Sequence, residues 1–438
     1  MAVSLARQLA SEVLLLVEQE HGYARDLLHS RRAQAVAPAD RRLATELVMG
    51  VLRWRGTLDY VIERGARRPV AHIPPLPLTA LRLGAYQLRW LDRIPASAAV
   101  HESVELAKAG GPKAAGFVNA VLRHLPRAPV MQLLANERDP ARRREAEFSH
   151  PAWLLERWSR HYGPQAAAAM AEYGNQTPPK ACWGPAAAQV GSAPARLLRS
   201  ARRVGTADAA VAAAAARAGR IFLQDEASQL IAHLLAARPG DRVLDACAAP
   251  GSKTALLHAL APQAAIVALE RHWLRARLLR RRLGAASSAV PVVVADASRP
   301  LPLTLAFDRI LVDAPCTGTG TLARNPEIRW RLQPQDPARL AHLQLALLGR
   351  AAAALAPGGR LVYSVCSLEP EEGPQVLAAL LAAQPQLRLE AIADLLHALA
   401  AAGELLAPPA RLSAGNYLRI LPGEWDSEGF FAAALTRG

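Results

Sequence analysis

The spacing of apolar positions changes character along the 438 residues. In "MAVSLARQLASEVLLLVEQE", Leu5, Leu9, Val13 and Leu16 recur at helical intervals. "ELVMGVLRWRGTLDYVIERG" sets Leu47, Val48, Val51, Leu52, Leu58, Val61 and Ile62 on one broad face. "LTALRLGAYQLRWLDRI" and "FVNAVLRHLPR" repeat the style, with Pro95 and Pro126 ending their segments. An all-α domain is predicted over 1–140. Residues 141–235 are less regular. "HPAWLLERWSRHYG" reads as a helix, "PKACWGPAAAQVGSAPARLLRSARRVG" mixes Pro, Gly and Ala with arginines, and Asp225 caps a helix reaching about Ala237. From 236 to 438 short apolar runs ("RVLDA", "AIVALE", "VPVVVAD", "RILVDA", "GRLVYSV") alternate with helical segments. That alternation predicts a parallel sheet covered on both faces. The expected fold class is multidomain: an all-α N-terminal domain, a small α/β middle domain and a C-terminal α/β domain of Rossmann-like type.

Charge adds a class of partner. The net charge is +15, with 52 basic against 37 acidic residues, which favours nucleic acid first and an anionic membrane second. Only Lys108, Lys113, Lys180 and Lys253 are lysines, so part of this excess is a drift toward arginine. Arg53, Arg55, Arg82, Arg89, Arg93 and Arg123 fall between the apolar positions of the helical domain. Taken alone they read as solvated helix faces. No uncharged apolar run reaches the roughly 18 residues of a membrane span. Glu12, Glu18 and Glu20 interrupt the N-terminal apolar stretch, which reads as an amphipathic helix of a cytoplasmic protein rather than a signal peptide. The four cysteines (Cys182, Cys247, Cys316, Cys366) form no C-x-x-C pair and have no histidine cluster beside them. Neither zinc nor a disulfide framework is expected.

The first strand of the C-terminal domain runs into "VLDACAAPGSKTALLHAL". Ala248, Ala249, Gly251 and Ser252 let a ligand approach the backbone before a helix beginning near Lys253. The glycine spacing is neither G-x-G-x-x-G nor a P-loop. The next strand ends at Glu270, where a carboxylate can accept both ribose hydroxyls, and the third at Asp296, suited to an exocyclic amine such as adenine's. Loop and carboxylates together point to an adenosine cofactor without a phosphate cradle, S-adenosylmethionine rather than NAD. Singly, each acid is also an ordinary helix cap.

Two cysteines stand at later strand ends: Cys316 in "LVDAPCTGTG" and Cys366 in "VYSVCSLEPEEG". Adjacent parallel strands would bring them to one rim beside the cofactor loop. A thiol beside a methyl donor suits attack on carbon 6 of a pyrimidine, which makes carbon 5 nucleophilic enough to take the methyl group. One thiol would attack while the second helps release. The plain reading of each is a small buried hydrophobe.

"DACAAPGSK", "VDAPCTGTG" and "VYSVCSLEPEEG" resemble the signature motifs of the RsmB/NOP RNA cytosine-5 methyltransferase family. "ELVMGVLRWRGTLD", "LRLGAYQL" and "GFVNAVLRHL" resemble the NusB-like domain fused to its bacterial 16S ribosomal RNA members. "FLQDEASQL" and the terminal "GFFAAALTR" extend the likeness over nearly the whole chain. The resemblance implies that Cys366 is the nucleophile and that Cys316 assists proton removal and release. It implies that Asp313 holds the cytosine edge and faces the donor's methionine end. Cys247, Ala248, Ala249, Pro250, Gly251, Ser252 and Lys253 would form the S-adenosylmethionine loop, with Glu270 on the ribose and Asp296 on the adenine. Cys247 is expected to pack the loop. Lys253 is either a positioning cation or a solvated helix-start residue. Ser252, Glu270 and Gly373 stand where the family usually has glycine, aspartate and asparagine. The middle domain lacks the family's polar Arg-Val-Asn strand. The expected partner is 16S ribosomal RNA, with no membrane, no metal and a monomeric chain. Transfer RNA as substrate and a non-catalytic assembly factor remain the alternatives.

Overall fold

A computed structural model of the chain describes residues 3–20, 22–191, 193–284, 289–302 and 305–438. These divide into two compact units. One comprises Met1–Thr177 with Leu322–Leu332, the other Pro178–Thr321 with Gln333–Gly438.

The first unit is helical. Its principal helices are α1 (Leu5–Gln19), α2 (Pro38–Arg53), α3 (Arg55–Ala66), α4 (Pro75–Trp90), α5 (Ala96–Ala107), α6 (Pro112–Arg123), α7 (Pro140–Phe148), α8 (Ala152–Tyr162) and α9 (Pro164–Gly174). The face assigned to Leu47, Val48, Val51, Leu52, Leu58, Val61 and Ile62 is buried throughout, although the chain turns at Trp54 between α2 and α3. The large apolar side chains buried in α1 are Leu9, Val13, Leu14 and Val17, while Leu5 is exposed and Leu16 only half-buried. Pro95 caps the start of α5 instead of closing a segment, because its fixed φ suits the entry to a helix.

Two arginines correct the solvated-face reading. Arg53 and Arg82 are buried. Arg82 forms a fork with Asp59 at 2.7 and 2.8 Å and also reaches Glu18, which explains how a guanidinium can sit inside. Arg89 is half-buried, donating to the carbonyls of Pro126 and Ala128, whereas Arg93 and Arg123 are exposed as read.

The second unit holds two sheets. The smaller, from β1 (Lys180–Trp183), β2 (Ala193–Pro194), β3 (Arg202–Val204) and β4 (Phe222–Leu223), has the antiparallel order β2-β3-β1-β4. Trp183 and Phe222 stack across it at 4.5 Å. Cys182 is buried there, a core filler. Asp225 caps α10 (Glu226–Leu235), its carboxylate accepting the Ala227 N–H at 3.0 Å.

The larger sheet comprises β5 (Arg242–Asp245), β6 (Ala265–Glu270), β7 (Val292–Val294), β8 (Phe307–Asp313), β9 (Leu355–Val365), β10 (Leu387–Glu390), β11 (Ser413–Ala414), β12 (Tyr417–Ile420) and β13 (Phe430–Arg437). The order is β11-β12-β13-β9-β8-β5-β6-β7, with β10 on β13. Strands β5 to β9 pair in parallel and β13 lies antiparallel on β9. The five predicted strands are thus the parallel core. Apolar layers line its two faces, one with Leu257, Ile266 and Leu279, the other with Leu244, Leu348 and Leu377. Helices α11 (Ser252–Leu260), α12 (Trp273–Leu283), α13 (Asp336–Ala353) and α14 (Pro374–Ala383) supply them. Strand order reverses between β5 and β8, and in such sheets ligands bind beyond the C-terminal strand ends at that switch. Among the described residues no helix is long and apolar enough to cross a membrane.

Candidate active site

Three loops leave the sheet edge at that switch. The first follows β5. Gly251 has φ 109°, and a Cβ there would stand 2.7 Å from the Leu279 side chain, so only glycine closes this turn against α12. Ser252 begins α11 and is not among the residues with positive φ, so a serine fits this position. The Ala248 N–H donates to the Leu269 carbonyl at 2.9 Å, and Arg275 donates to the Ala249 carbonyl at 3.2 Å. Cys247 faces the same loop, and burial pushes its thiol up, away from thiolate.

Asp245, at the end of β5, is 1% exposed. One oxygen accepts the Thr254 hydroxyl at 2.7 Å; the other has no hydrogen-bond partner among the described residues. Burial raises this carboxyl to about 6. An unpartnered buried acceptor beside a loop of small residues suits a ligand bearing a donor there. Glu270, the last residue of β6, is buried and accepts the His272 N–H at 2.7 Å, with Arg275 at 3.8 Å. Asp296 stands two residues beyond β7, not at its last residue. It is half-exposed and accepts the Ser298 N–H and hydroxyl at 3.0 and 2.6 Å. Those bonds, against little burial, lower its pKa.

The second and third loops follow β8 and β9. Asp313 pairs with Ser364 in the parallel register, which puts Cys316 and Cys366 a few residues past matched positions. Their Sγ atoms are 3.5 Å apart. The hydrogen bond to Cys366, then burial, holds the Cys316 thiol well above its ordinary range, so it stays protonated. A Cβ on Gly320 would stand 2.2 Å from the Gly429 carbonyl. Lacking one, Gly320 donates to the Cys366 carbonyl and accepts from the Gly429 N–H, at 2.9 and 2.8 Å.

Asp313 accepts on both oxygens, from Lys253 at 2.7 Å and from the Ser364 hydroxyl at 2.7 Å. The Lys253 side chain is 12% exposed, with its ammonium 5.4 Å from the Phe430 ring centroid. Burial opposes its charge, but the Asp313 carboxylate outweighs burial and raises its pKa. The solvated alternative for Lys253 is thereby excluded.

Glu372 is a residue whose place the sequence does not announce. It is fully buried, and it accepts the Thr317 N–H at 2.8 Å, the Thr317 hydroxyl at 2.5 Å, the Gln344 amide at 2.9 Å and the Ser367 hydroxyl. Burial raises its carboxyl even so. It ties the residue after Cys316 to the residue after Cys366. The signal available was an acid in "PEEG" six residues past a strand-end cysteine, which reads equally well as surface. Gly373 lies against the Phe431 ring, where a Cβ would stand 3.3 Å away. Among the described residues no group of three or more His, Cys, Asp or Glu could hold a metal ion.

The arrangement therefore offers two adjacent thiols, a charged lysine–aspartate pair and a small-residue loop on one edge. Comparisons with known proteins bear on the chain as a whole. Residues 232–436 match the family model described as 16S rRNA methyltransferase RsmB/F, and residues 4–127 match the NusB family. The chain is 33% identical to the probable ribosomal RNA small subunit methyltransferase B of Bacillus subtilis, covering 98% of each chain. It is 37% identical to the ribosomal RNA small subunit methyltransferase B of Thermus thermophilus, covering 87% of this chain and 89% of that one. In fold it resembles the crystal structure of PH0851, with a TM-score of 0.78 and 21% identity over all of both chains. It also resembles a methyltransferase homologue from Pyrococcus horikoshii, with a TM-score of 0.53 and 24% identity over 67% of this chain and 97% of that one. With a NusB-family segment followed by this sheet, the chain belongs to the 16S rRNA methyltransferase RsmB/F family.

Proposed function

We propose that this protein methylates carbon 5 of a cytidine in 16S ribosomal RNA by way of a covalent adduct between Cys366 and carbon 6. The observation that carries the reading is the 3.5 Å approach of two thiols beside a buried Lys253–Asp313 pair. A thiol alone is an ordinary core residue. Two of them at a ligand-binding sheet edge, each loop held by Glu372, are costly to arrange for packing alone.

In this reading the target base leaves its stack to enter the site. The Cys366 thiol gives up its proton to the Asp313 carboxylate as its sulfur bonds to carbon 6, and the carbon 5–carbon 6 π electrons move into the ring, leaving carbon 5 nucleophilic. Asp313, fixed by Ser364 and Lys253, meets the polar edge of the ring. S-adenosylmethionine, when bound, supplies the methyl group. Its binding residues are Cys247 to Lys253 in the loop, Glu270 for the ribose hydroxyls, Asp296 for the adenine amine and Asp245 as an acceptor. Cys316, adjacent to the adduct, takes the carbon 5 proton while passing its own S–H proton to the departing Cys366 sulfur, 3.5 Å from it. The electrons left on carbon 5 then restore the double bond and expel the Cys366 sulfur. The net charge and the basic helical and middle segments favour RNA held mainly through phosphates.

Bisulfite mapping of ribosomal and transfer RNA, with and without the protein, tests this reading. One protected cytidine in 16S RNA is expected. Protection confined to transfer RNA would move the substrate, and protection nowhere would favour an assembly factor without catalysis.

A further inference from the structure

Helix α12 carries a surface that its unit's core does not explain. Its inward face is Ala276, Leu279 and Leu283, with Leu279 against Gly251 of the cofactor loop. Pointing away are Trp273, Leu274 and Leu278, at 62%, 74% and 41% exposure. Exposed Arg277, Arg280, Arg281 and Arg282 interleave with them. At about 100° per residue, Leu274, Arg277, Leu278 and Arg281 share one sector of roughly 100° opposite the buried stripe.

Two features separate this from a plain solvated face. Among the described residues no carboxylate lies within ion-pair distance of Arg277, Arg280, Arg281 or Arg282, whereas Arg271 and Arg275 reach Asp296 and Glu270. A drift toward arginine would account for the cations but would not put a tryptophan and two leucines in water. The helix also begins three residues after Glu270, so Trp273 stands at the sheet edge that carries both thiols. Strand β6 is two strands from β8, on the order of 10 Å away. The helix then runs for about 16 Å, enough for several consecutive phosphates.

We infer that the outward face of α12 is an RNA-docking surface. Trp273 stacks on a base flanking the target nucleotide, and Arg277 and Arg281 hold its neighbouring phosphates. The inference rests on the proposed RNA substrate and names part of its binding path. Stacking by an exposed aromatic beside free arginines is the usual way a single strand is held without regard to sequence. A membrane is disfavoured because Arg277 and Arg281 sit in the centre of the apolar sector, where a membrane-surface helix keeps basic and apolar faces apart.

The test is equilibrium binding of the full chain to a 16S RNA transcript between about 50 and 200 mM salt. The double variant Arg277→Gln, Arg281→Gln should give a plot of log affinity against log salt shallower by about 1 to 2. S-adenosylhomocysteine affinity and melting temperature should match the wild type. Trp273→Ala should weaken RNA binding roughly tenfold, and Trp273→Phe should restore most of it. Unchanged slope and affinity in the double variant would overturn the inference. So would a Trp273→Ala defect confined to the cofactor, or arginine-dependent binding to phosphatidylglycerol vesicles with the RNA slope intact. The slope needs no turnover, so an intact arginine effect in a protein that forms no 5-methylcytidine would fail the proposed function and leave this surface standing.

Discussion

The Sγ atoms of Cys316 and Cys366 lie 3.5 Å apart although fifty residues separate them in the chain. Their meeting follows from a parallel pair of strands in which Asp313 faces Ser364, so each loop starts from the same level of the sheet. Glu372 then fixes both loops from behind through Thr317 and Ser367. The two sulfurs are not interchangeable. Cys316 is held protonated by its bond to Cys366 and by burial, so it suits a proton-handling role better than attack.

The Lys253–Asp313 pair leads to a first prediction. Removing one partner of a mostly buried pair strands the other charge. Asp313→Asn should lower stability by about 2 to 3 kcal/mol, nearer the lower figure because Asp313 is partly exposed, and abolish methylation. Lys253→Met should do the same, and Lys253→Arg should fall short of wild type in both, since a planar fork replaces a compact ammonium. Thermal melting and methyl incorporation check this. A Lys253→Met protein with wild-type melting and activity would contradict it.

Asp245 gives a pH dependence. Its folded pKa, about 6, lies above the usual carboxylate value because of burial. The protonated form is therefore favoured in the folded state, and its stabilising contribution is complete below about pH 4. That contribution is lost as pH rises through about 6, on the order of 3 kcal/mol in all. Urea midpoints of wild type and Asp245→Asn, compared across this range, should show wild type losing ground to the variant as pH rises. A constant difference would contradict the assignment.

Arg329 belongs to the helical unit although it is encoded within the methyltransferase half of the chain. It is fully buried and donates to the carbonyls of Ser149, Gly174 and Leu322 and to the Asn175 side chain, at 2.7 to 3.1 Å. Among the described residues no carboxylate pairs with it, and burial pulls its pKa well below the ordinary arginine value. Arg329→Met should leave several buried acceptors unmet and cost about 3 kcal/mol or more. Limited proteolysis should then cut within residues 1–177 sooner than in wild type. Equal resistance of variant and wild type would show that the carbonyl cage is dispensable.

The sheet edge was readable because each of its parts is local. A strand ending in Asp313-Ala-Pro-Cys316 or in Val365-Cys366 announces its own end, and parallel strands share one direction. The closeness of the thiols needed only adjacency of β8 and β9. What escaped reading depends on partners distant in sequence. Arg53 and Arg82 have the same local pattern as exposed Arg93 and Arg123; burial of Arg82 depends on Asp59 and Glu18. Glu372 looks like one of several surface acids until Thr317 and Gln344 close on it. Asp296 overshoots its strand because Ser298 folds the chain back on its carboxylate. Residues 322–332 carry no local sign that they belong with the first 177 residues.

The most direct measurement is a denaturing gel of the Cys316→Ala protein incubated with 16S RNA and S-adenosylmethionine, beside the double variant Cys316→Ala, Cys366→Ala. The account predicts a shifted, covalent protein–RNA band in the single variant that disappears in the double one. No shifted band in the single variant, or a band that survives loss of Cys366, would contradict it.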